Sequence, residues 1–168
     1  MTAPATAQAY PLSEAARARL AADPRRTFDW LDDHRHLSSH MASSSWMMAG
    51  SSMSTTIDER RFQAVGSRLR MQGRVLGMPL ELDEQVVVRE PPRRKFWETI
   101  GEPKLLVIGA YRMGFEIEAA GSGATLTIRI DYQPPSRGVA RWLGSMLGRA
   151  YARWCVQTML RDAQRTLE

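Results

Sequence analysis

The sequence predicts an α+β domain: a curved antiparallel sheet of about seven strands wrapped around one long C-terminal helix, with two short helices after the first strand. Three observations predict it. From about residue 50 to residue 132, apolar and polar residues alternate in short runs, the period of half-buried strands. The connections between these runs are short and carry Gly or Pro, so successive strands are expected to pair antiparallel in a meander. After Pro134-Pro135 the period becomes helical and stays so to the end. A curved sheet cannot bury its own concave face, and a long amphipathic helix is its natural cover.

The elements follow in order. Ala16–Ala22 reads as a short first strand. Asp23-Pro24 opens a helix, with Asp as the cap and Pro at the first helical position. Phe28, Trp30 and Leu31 form its apolar side, and His34–Met41 reads as a second short helix. The stretch SSSWMMAGSSMSTTIDER follows; Gly50–Asp58 suits a strand with Met53, Thr55 and Ile57 on one side. In GSRLRMQGRVLG, Leu69, Met71 and Val75 alternate with arginines. In PLELDEQVVVRE, Leu80, Leu82, Val86 and Val88 share one parity, and Pro91-Pro92 stops the strand. RKFWETI is next. A long strand is expected from Lys104 to Glu118, with Tyr111, Met113, Phe115 and Ile117 on its apolar face. After an AGSG turn, ATLTIRIDY places Leu126, Ile128, Ile130 and Tyr132 together. Ser136 is the expected cap of the last helix. Its apolar stripe is read as Val139, Leu143, Met146, Leu147, Ala150, Trp154, Met159 and Ala163, ringed by arginines. Gly144 and Gly148 allow either a bend or a close approach.

Composition bounds the function. At 168 residues, 43% hydrophobic and 24% charged, the chain is expected to be one globular domain, residues 16–168, behind a flexible segment 1–15. A single cysteine, Cys155, rules out an internal disulfide and fits a reducing compartment, so the expected location is the cytoplasm. No apolar run approaches the roughly 18 residues that span a bilayer, and the N-terminus lacks the pattern of a signal peptide. The net charge of +5 and pI near 10.0 raise nucleic acid or an anionic membrane as partners. The basic residues, Arg60, Arg68, Arg70, Arg74 and Lys95 among them, are scattered and mostly alternate with apolar ones, as on the solvent face of strands. Nucleic acid is therefore not expected. Peripheral contact with an anionic membrane, through the arginine-ringed helix and the serine-methionine segment, remains a third option, and the oligomer is read as monomer or homodimer.

Candidate chemistry is sparse. His34, His36 and His40 fall close together, but HRHLSSH lacks the Glu of a zinc-protease motif and no cysteine cluster accompanies it, so no metal is expected. No GxSxG, GxGxxG or Walker pattern is present, and no cofactor is expected. The carboxylates are more informative. Glu84 shares parity with Leu80, Leu82 and Val86, which points it into the apolar face unless a β-bulge at Asp83-Glu84 resets the register. Glu98 shares parity with Phe96 and Ile100, although Trp97 and Thr99 are an equally good inward set. A carboxyl in an apolar cavity has its pKa raised and can act as acid or base. Tyr111 adds a hydroxyl among apolar neighbours. The catalytic candidates are thus Glu84, Glu98 and Tyr111. Ten methionines and five tryptophans are an unusual endowment, and methionine adapts to irregular shapes. Met53, Met71, Trp97, Tyr111, Met113, Phe115, Trp154 and Met159 are the candidate ligand-binding residues, each with core packing as its alternative.

The stretches FDWLDDHRHLSSHM, VGSRLRMQGRVLGMPLELDEQVV, EPPRRKFWETIGEP, LLVIGAYRMGFEI and YARWCVQTML resemble those of the SRPBCC (START/birch-pollen-allergen-like) superfamily, in particular a bacterial polyketide cyclase/dehydrase-like branch. The likeness runs from about Asp23 to the end. It implies a helix-grip fold with a deep apolar cavity between sheet and last helix. It also implies a lipid- or polyketide-like hydrophobic ligand there, or, alternatively, a cyclase or dehydratase activity. The superfamily has no shared catalytic residue to carry over.

Overall fold

A computed structural model describes residues 9–37, 53–75, 78–105, 107–135 and 139–168, without the side chains at 53, 75, 78 and 139–146. The expected Ser136 cap, His40, the stretch 42–52 and residues 1–8 lie outside the described residues.

Strand β1 is Leu12–Leu20, followed by helices α1 (Pro24–Asp32) and α2 (His34–Leu37). The strands β2 (Met53–Ile57), β3 (Arg68–Val75), β4 (Met78–Glu90), β5 (Arg94–Thr99), β6 (Tyr111–Ala120) and β7 (Gly123–Tyr132) come next, and helix α3 (Val139–Leu167) ends the chain. All seven strands form one antiparallel sheet in the order β1-β7-β6-β5-β4-β3-β2. Every consecutive pair from β2 to β7 is adjacent, so the meander is as expected. Only β1 crosses, reaching β7 along the whole register from Leu12↔Tyr132 to Leu20↔Ala124.

Local chemistry explains the ends. The Asp23 carboxylate accepts from the Arg25 and Arg26 backbone N–H groups at 2.9 and 3.1 Å, capping α1, and Pro24 follows it. Gly121, at φ +63°, takes the left-handed position of the β6–β7 turn that a side chain would resist. The core lies between sheet and α3: Leu126, Ile128, Ile130 and Tyr132 of β7 and Phe115 of β6 face Ala152, Val156, Met159 and Ala163 of α3, all buried.

Four expectations shift. The first strand is Leu12–Leu20 rather than Ala16–Ala22; four more residues pair because β7 runs on to Tyr132 and offers them partners. The strand expected from Lys104 begins at Tyr111; before it, Lys104 forms an isolated bridge with Glu81, and the Gly109 N–H donates to the Gln133 carbonyl at 2.7 Å. In α3 the buried stripe is Gly148, Ala152, Cys155, Val156, Met159, Leu160, Ala163 and Leu167, while Leu147 and Ala150 are exposed. The small residues turn inward because the helix lies very close there. A Cβ on Gly148 would stand 2.8 Å from the Val107 carbonyl oxygen, so this glycine permits the close approach. Finally, β4 carries a bulge between Val86 and Val88. It lies beyond Glu84, so Glu84 keeps its inward parity. Val88 instead loses it, and Arg89 turns in beside Lys95.

Candidate functional site

A cavity of about 100 Å³ lies between the sheet and α3. Strands β3 and β4 supply Leu69, Met71, Leu80, Leu82 and Glu84 to its wall. Trp97 of β5, Tyr111 and Met113 of β6, and Ile130 of β7 continue it, and Tyr151, Cys155 and Met159 of α3 close it from above. Leu105, Ile108, Phe62 and His34 complete the lining. The wall is thus mostly apolar, aromatic and sulfur-bearing, with few polar groups, which is the composition of a small-molecule pocket.

The polar focus is Glu84. It is buried, and the Tyr111 hydroxyl donates a short hydrogen bond to its Oε1. Burial pushes its pKa up from 4.5 to about 7; hydrogen bonds from Tyr111 and the Trp97 side chain, and the charge of Lys95, hold it from going higher. The Tyr111 phenol is driven well above 10.0 by burial and by the neighbouring carboxylate, so it remains a donor. Its backbone is fixed as well: the Tyr111 N–H donates to Thr99 Oγ1 at 3.2 Å, and that hydroxyl donates back to the Tyr111 carbonyl at 3.4 Å. Thr99 thereby anchors β6 at the point where Tyr111 enters the cavity.

On the opposite wall, Tyr151 and Cys155 sit one helical turn apart and hydrogen-bond each other. Burial pushes the Cys155 thiol up to about 12, so it is a neutral thiol rather than a nucleophile.

Phe62 reaches the wall from a turn. Arg61 and Phe62 both adopt left-handed backbone, at φ 55° and 63°. The turn is held by the Ser67 hydroxyl, which accepts from the Phe62 N–H at 2.9 Å and donates to Asp58 at 2.5 Å. The Phe62 ring packs edge-on to Trp97 with centroids 6.0 Å apart. Behind Phe62, outside the cavity, lies a buried ionic cluster. Lys95, fully buried, donates to Asp32 Oδ1 at 2.8 Å, and Arg89 makes a forked pair with the same carboxylate, its closest contact also 2.8 Å. The Lys95 ammonium stands 5.1 Å from the centre of the Phe62 ring. Burial pushes the Asp32 pKa up, but its two cations outweigh this and hold it below the ordinary value; burial pulls Lys95 down against Asp32's opposition.

Of the residues singled out in the sequence, the cavity brings together Met71, Glu84, Trp97, Tyr111, Met113 and Met159. Phe115 does not reach it; fully buried, it packs edge-on against Phe28 of α1 with centroids 5.5 Å apart. Trp154 flanks the helix, half-buried beside Tyr151. The Met53 side chain lies outside the described residues. Glu98 is on the outer face: Lys95, Trp97 and Thr99 are the inward set of β5, and Glu98 pairs in register with Arg112. Lys95, expected on a solvated face, is instead fully buried, with Arg89 half-buried beside it, because the bulge and the β5 parity bring both inward. Sequence reasoning missed Tyr151, Cys155 and Phe62 as lining residues. An i, i+4 pair of a phenol and a thiol on the last helix was the available signal for the first two; Phe62 lies in a turn without periodicity.

Among the described residues, no three or more His, Cys, Asp or Glu side chains converge as a metal site, and no helix is long and apolar enough to cross a membrane. Two α3 arginines, Arg149 and Arg153, are engaged with Glu14 of β1 at 2.7 and 3.4 Å.

Residues 14–168 match the family described as "Polyketide cyclase / dehydrase and lipid transport". Among curated protein sequences none matches the chain. Solved structures share the fold. TTHA0849 from Thermus thermophilus is 14% identical over 93% of this chain and 97% of its own, with a TM-score of 0.63. Truncated norcoclaurine synthase from Thalictrum flavum is 13% identical over 96% and 97%, with a TM-score of 0.62. The di-domain ARO/CYC BexL from the BE-7585A biosynthetic pathway is 18% identical over 94% of this chain and 50% of its own, with a TM-score of 0.60.

Proposed function

The chain belongs to the polyketide cyclase/dehydrase and lipid transport family, and on that premise we propose that it binds a small hydrophobic molecule in the cavity under α3, with the Glu84–Tyr111 pair as the ligand's polar anchor. One observation carries the reading: a buried carboxyl and phenol, hydrogen-bonded to each other, face a cavity whose wall is mostly apolar. Apolar surface buried in the cavity contributes roughly 25 cal/mol per Å², and the polar pair fixes orientation. A free volume of about 100 Å³ suits a compact ligand on the scale of a single ring. Larger ligands require the methionines at 71, 113 and 159 to re-pack, which their flexible side chains permit. The single, buried cysteine supports a cytoplasmic setting.

Native mass spectrometry of freshly purified protein tests this. A co-purified small molecule, lost on denaturation, is the expected result. No bound species, together with no displacement of a fluorescent apolar probe by any small aromatic compound, would sink the reading.

A second reading has its own support. Glu84, with its pKa near 7, is poised to give or take a proton at neutral pH, as a cyclase or dehydratase requires. In that case E84Q retains ligand binding and loses turnover; turnover that survives the substitution removes Glu84 from the chemistry.

A further inference from the structure

The protein as a whole is basic, at +5, yet its basic residues stay out of the cavity. Among the described residues, no lysine or arginine lines it, and Glu84 is its one carboxylate. The nearest buried cation, Lys95, is held by Asp32 at 2.8 Å behind the Phe62 ring. None of the salt bridges among the described residues involves Glu84; its partners are hydrogen-bond donors, Tyr111 and Trp97. The same lining carries the rings of Trp97, Tyr111 and Tyr151 and the sulfurs of Met71 and Met113, aromatic and polarizable groups. Aromatic faces attract cations through their quadrupole, most strongly where water is excluded. A buried carboxylate without a cation is incompletely compensated, and a ligand that brings the cation supplies what is missing.

We propose that the cavity selects lipophilic organic cations, amines or quaternary ammonium compounds, whose charge sits between Glu84 and the rings of Trp97, Tyr111 and Tyr151. The inference rests on the hydrophobic-ligand reading and narrows it. It makes binding depend on Glu84 being ionised. The titratable and charged groups around Glu84 are Tyr111 from β6, Lys95 from β5, His34 from α2, and Tyr151 and Cys155 from α3. Tyr111, Tyr151 and Cys155 are held neutral through neutral pH, and burial lowers the His34 pKa, so His34 loses its charge as pH rises to neutrality. Glu84 ionises around pH 7, so the cavity becomes more negative as pH rises.

The test compares phenyltrimethylammonium with its neutral carbon isostere, tert-butylbenzene, by quenching of tryptophan fluorescence on the full chain. The expected result is at least tenfold tighter binding of the cation at pH 8. That advantage should fall about tenfold between pH 8 and pH 6 and vanish in E84Q, while the isostere's affinity stays unchanged by pH and by substitution. The wild-type pH profile stands whether or not E84Q folds. Equal or tighter binding of tert-butylbenzene at pH 8 overturns the cation inference and leaves the hydrophobic cavity standing. A cation affinity that is flat in pH and unchanged in E84Q overturns it as well. Binding of neither compound overturns the cation inference alone; the hydrophobic-ligand reading falls only with the native mass spectrometry and probe-displacement test.

Discussion

Two buried polar clusters lie on either side of Phe62, and they solve the same problem differently. Asp32, Arg89 and Lys95 bring a carboxylate and two cations together, and each charge has a partner within 2.8 Å. Glu84 and Tyr111 bring a carboxylate and a neutral donor together, beside open space. In the first, the opposite charges keep Asp32 ionised; in the second, burial drives Glu84 toward its neutral form. The first cluster ties α1 to β4 and β5 and is a structural device. The second keeps unspent interaction capacity, which is what a binding site requires.

The largest effect should come from breaking the closed cluster. Asp32→Ala leaves a fully buried ammonium and a guanidinium without their anion, and removal of one partner from a buried ion pair costs about 3–5 kcal/mol. Urea denaturation should show that loss as a lower midpoint at unchanged slope, with a melting temperature down by roughly 6–20 °C. A cost below about 1 kcal/mol would erase the contrast between the clusters.

The open cluster should instead announce itself in the pH dependence of stability. The folded state raises the Glu84 pKa from 4.5 to about 7, so it binds that proton more tightly than the unfolded chain does. The contribution is fully present below pH 4.5 and is lost as pH rises through 7. At about 1.4 kcal/mol per pKa unit, the loss amounts to about 3 kcal/mol. E84Q lacks it, so the wild-type minus E84Q difference in unfolding free energy should fall with pH over this window and be flat above it. A difference that rises with pH would mean that Glu84 is held ionised, as Asp32 is.

The contrast also shows where the sequence was legible. Period-two alternation in β4 and β6 offers Glu84 and Tyr111 to the apolar face of each strand, but for Glu84 it leaves a bulge at Asp83-Glu84 as the alternative. The closed cluster was hidden. The register slips within Val86-Val87-Val88, where three identical side chains carry no pattern to reveal a shift. Val88, read on the parity of Val86, therefore falls on the wrong face, and nothing in the pattern turns Arg89 inward. In β5, Arg94-Lys95 and Phe96-Trp97 come as adjacent pairs, so each parity takes one charged and one aromatic residue from them and the pattern leaves the inward set open. In α3 the apolar stripe holds at Met159 and Ala163, but toward the start of the helix Gly148 and Ala152 face the rest of the fold in place of Leu147 and Ala150. That rotation is what carries Tyr151 and Cys155 into the cavity and leaves Trp154 on the flank.

The smallest effect should discriminate most finely. Tyr111→Phe removes the hydroxyl donor from Glu84 and keeps the ring. A hydrogen bond to an ionised acceptor is worth about 1.5–3 kcal/mol and one to a neutral acceptor about 0.5–1.5 kcal/mol. The substitution should therefore cost about 1 kcal/mol more at pH 8, where Glu84 is ionised, than at pH 5, where it is protonated. It should also push the Glu84 pKa further above 7, since the Tyr111 bond is one of the interactions holding it down. Carbon-13 NMR titration of the glutamate carboxyls measures that shift directly. Arg89→Gln, which removes a donor from the Asp32 cluster, should show no such difference between pH 5 and 8, because Asp32 stays ionised throughout. Equal pH sensitivity in the two variants would mean that Asp32 and Glu84 share one electrostatic environment across Phe62, and that the ring does not insulate the cavity from the ions behind it.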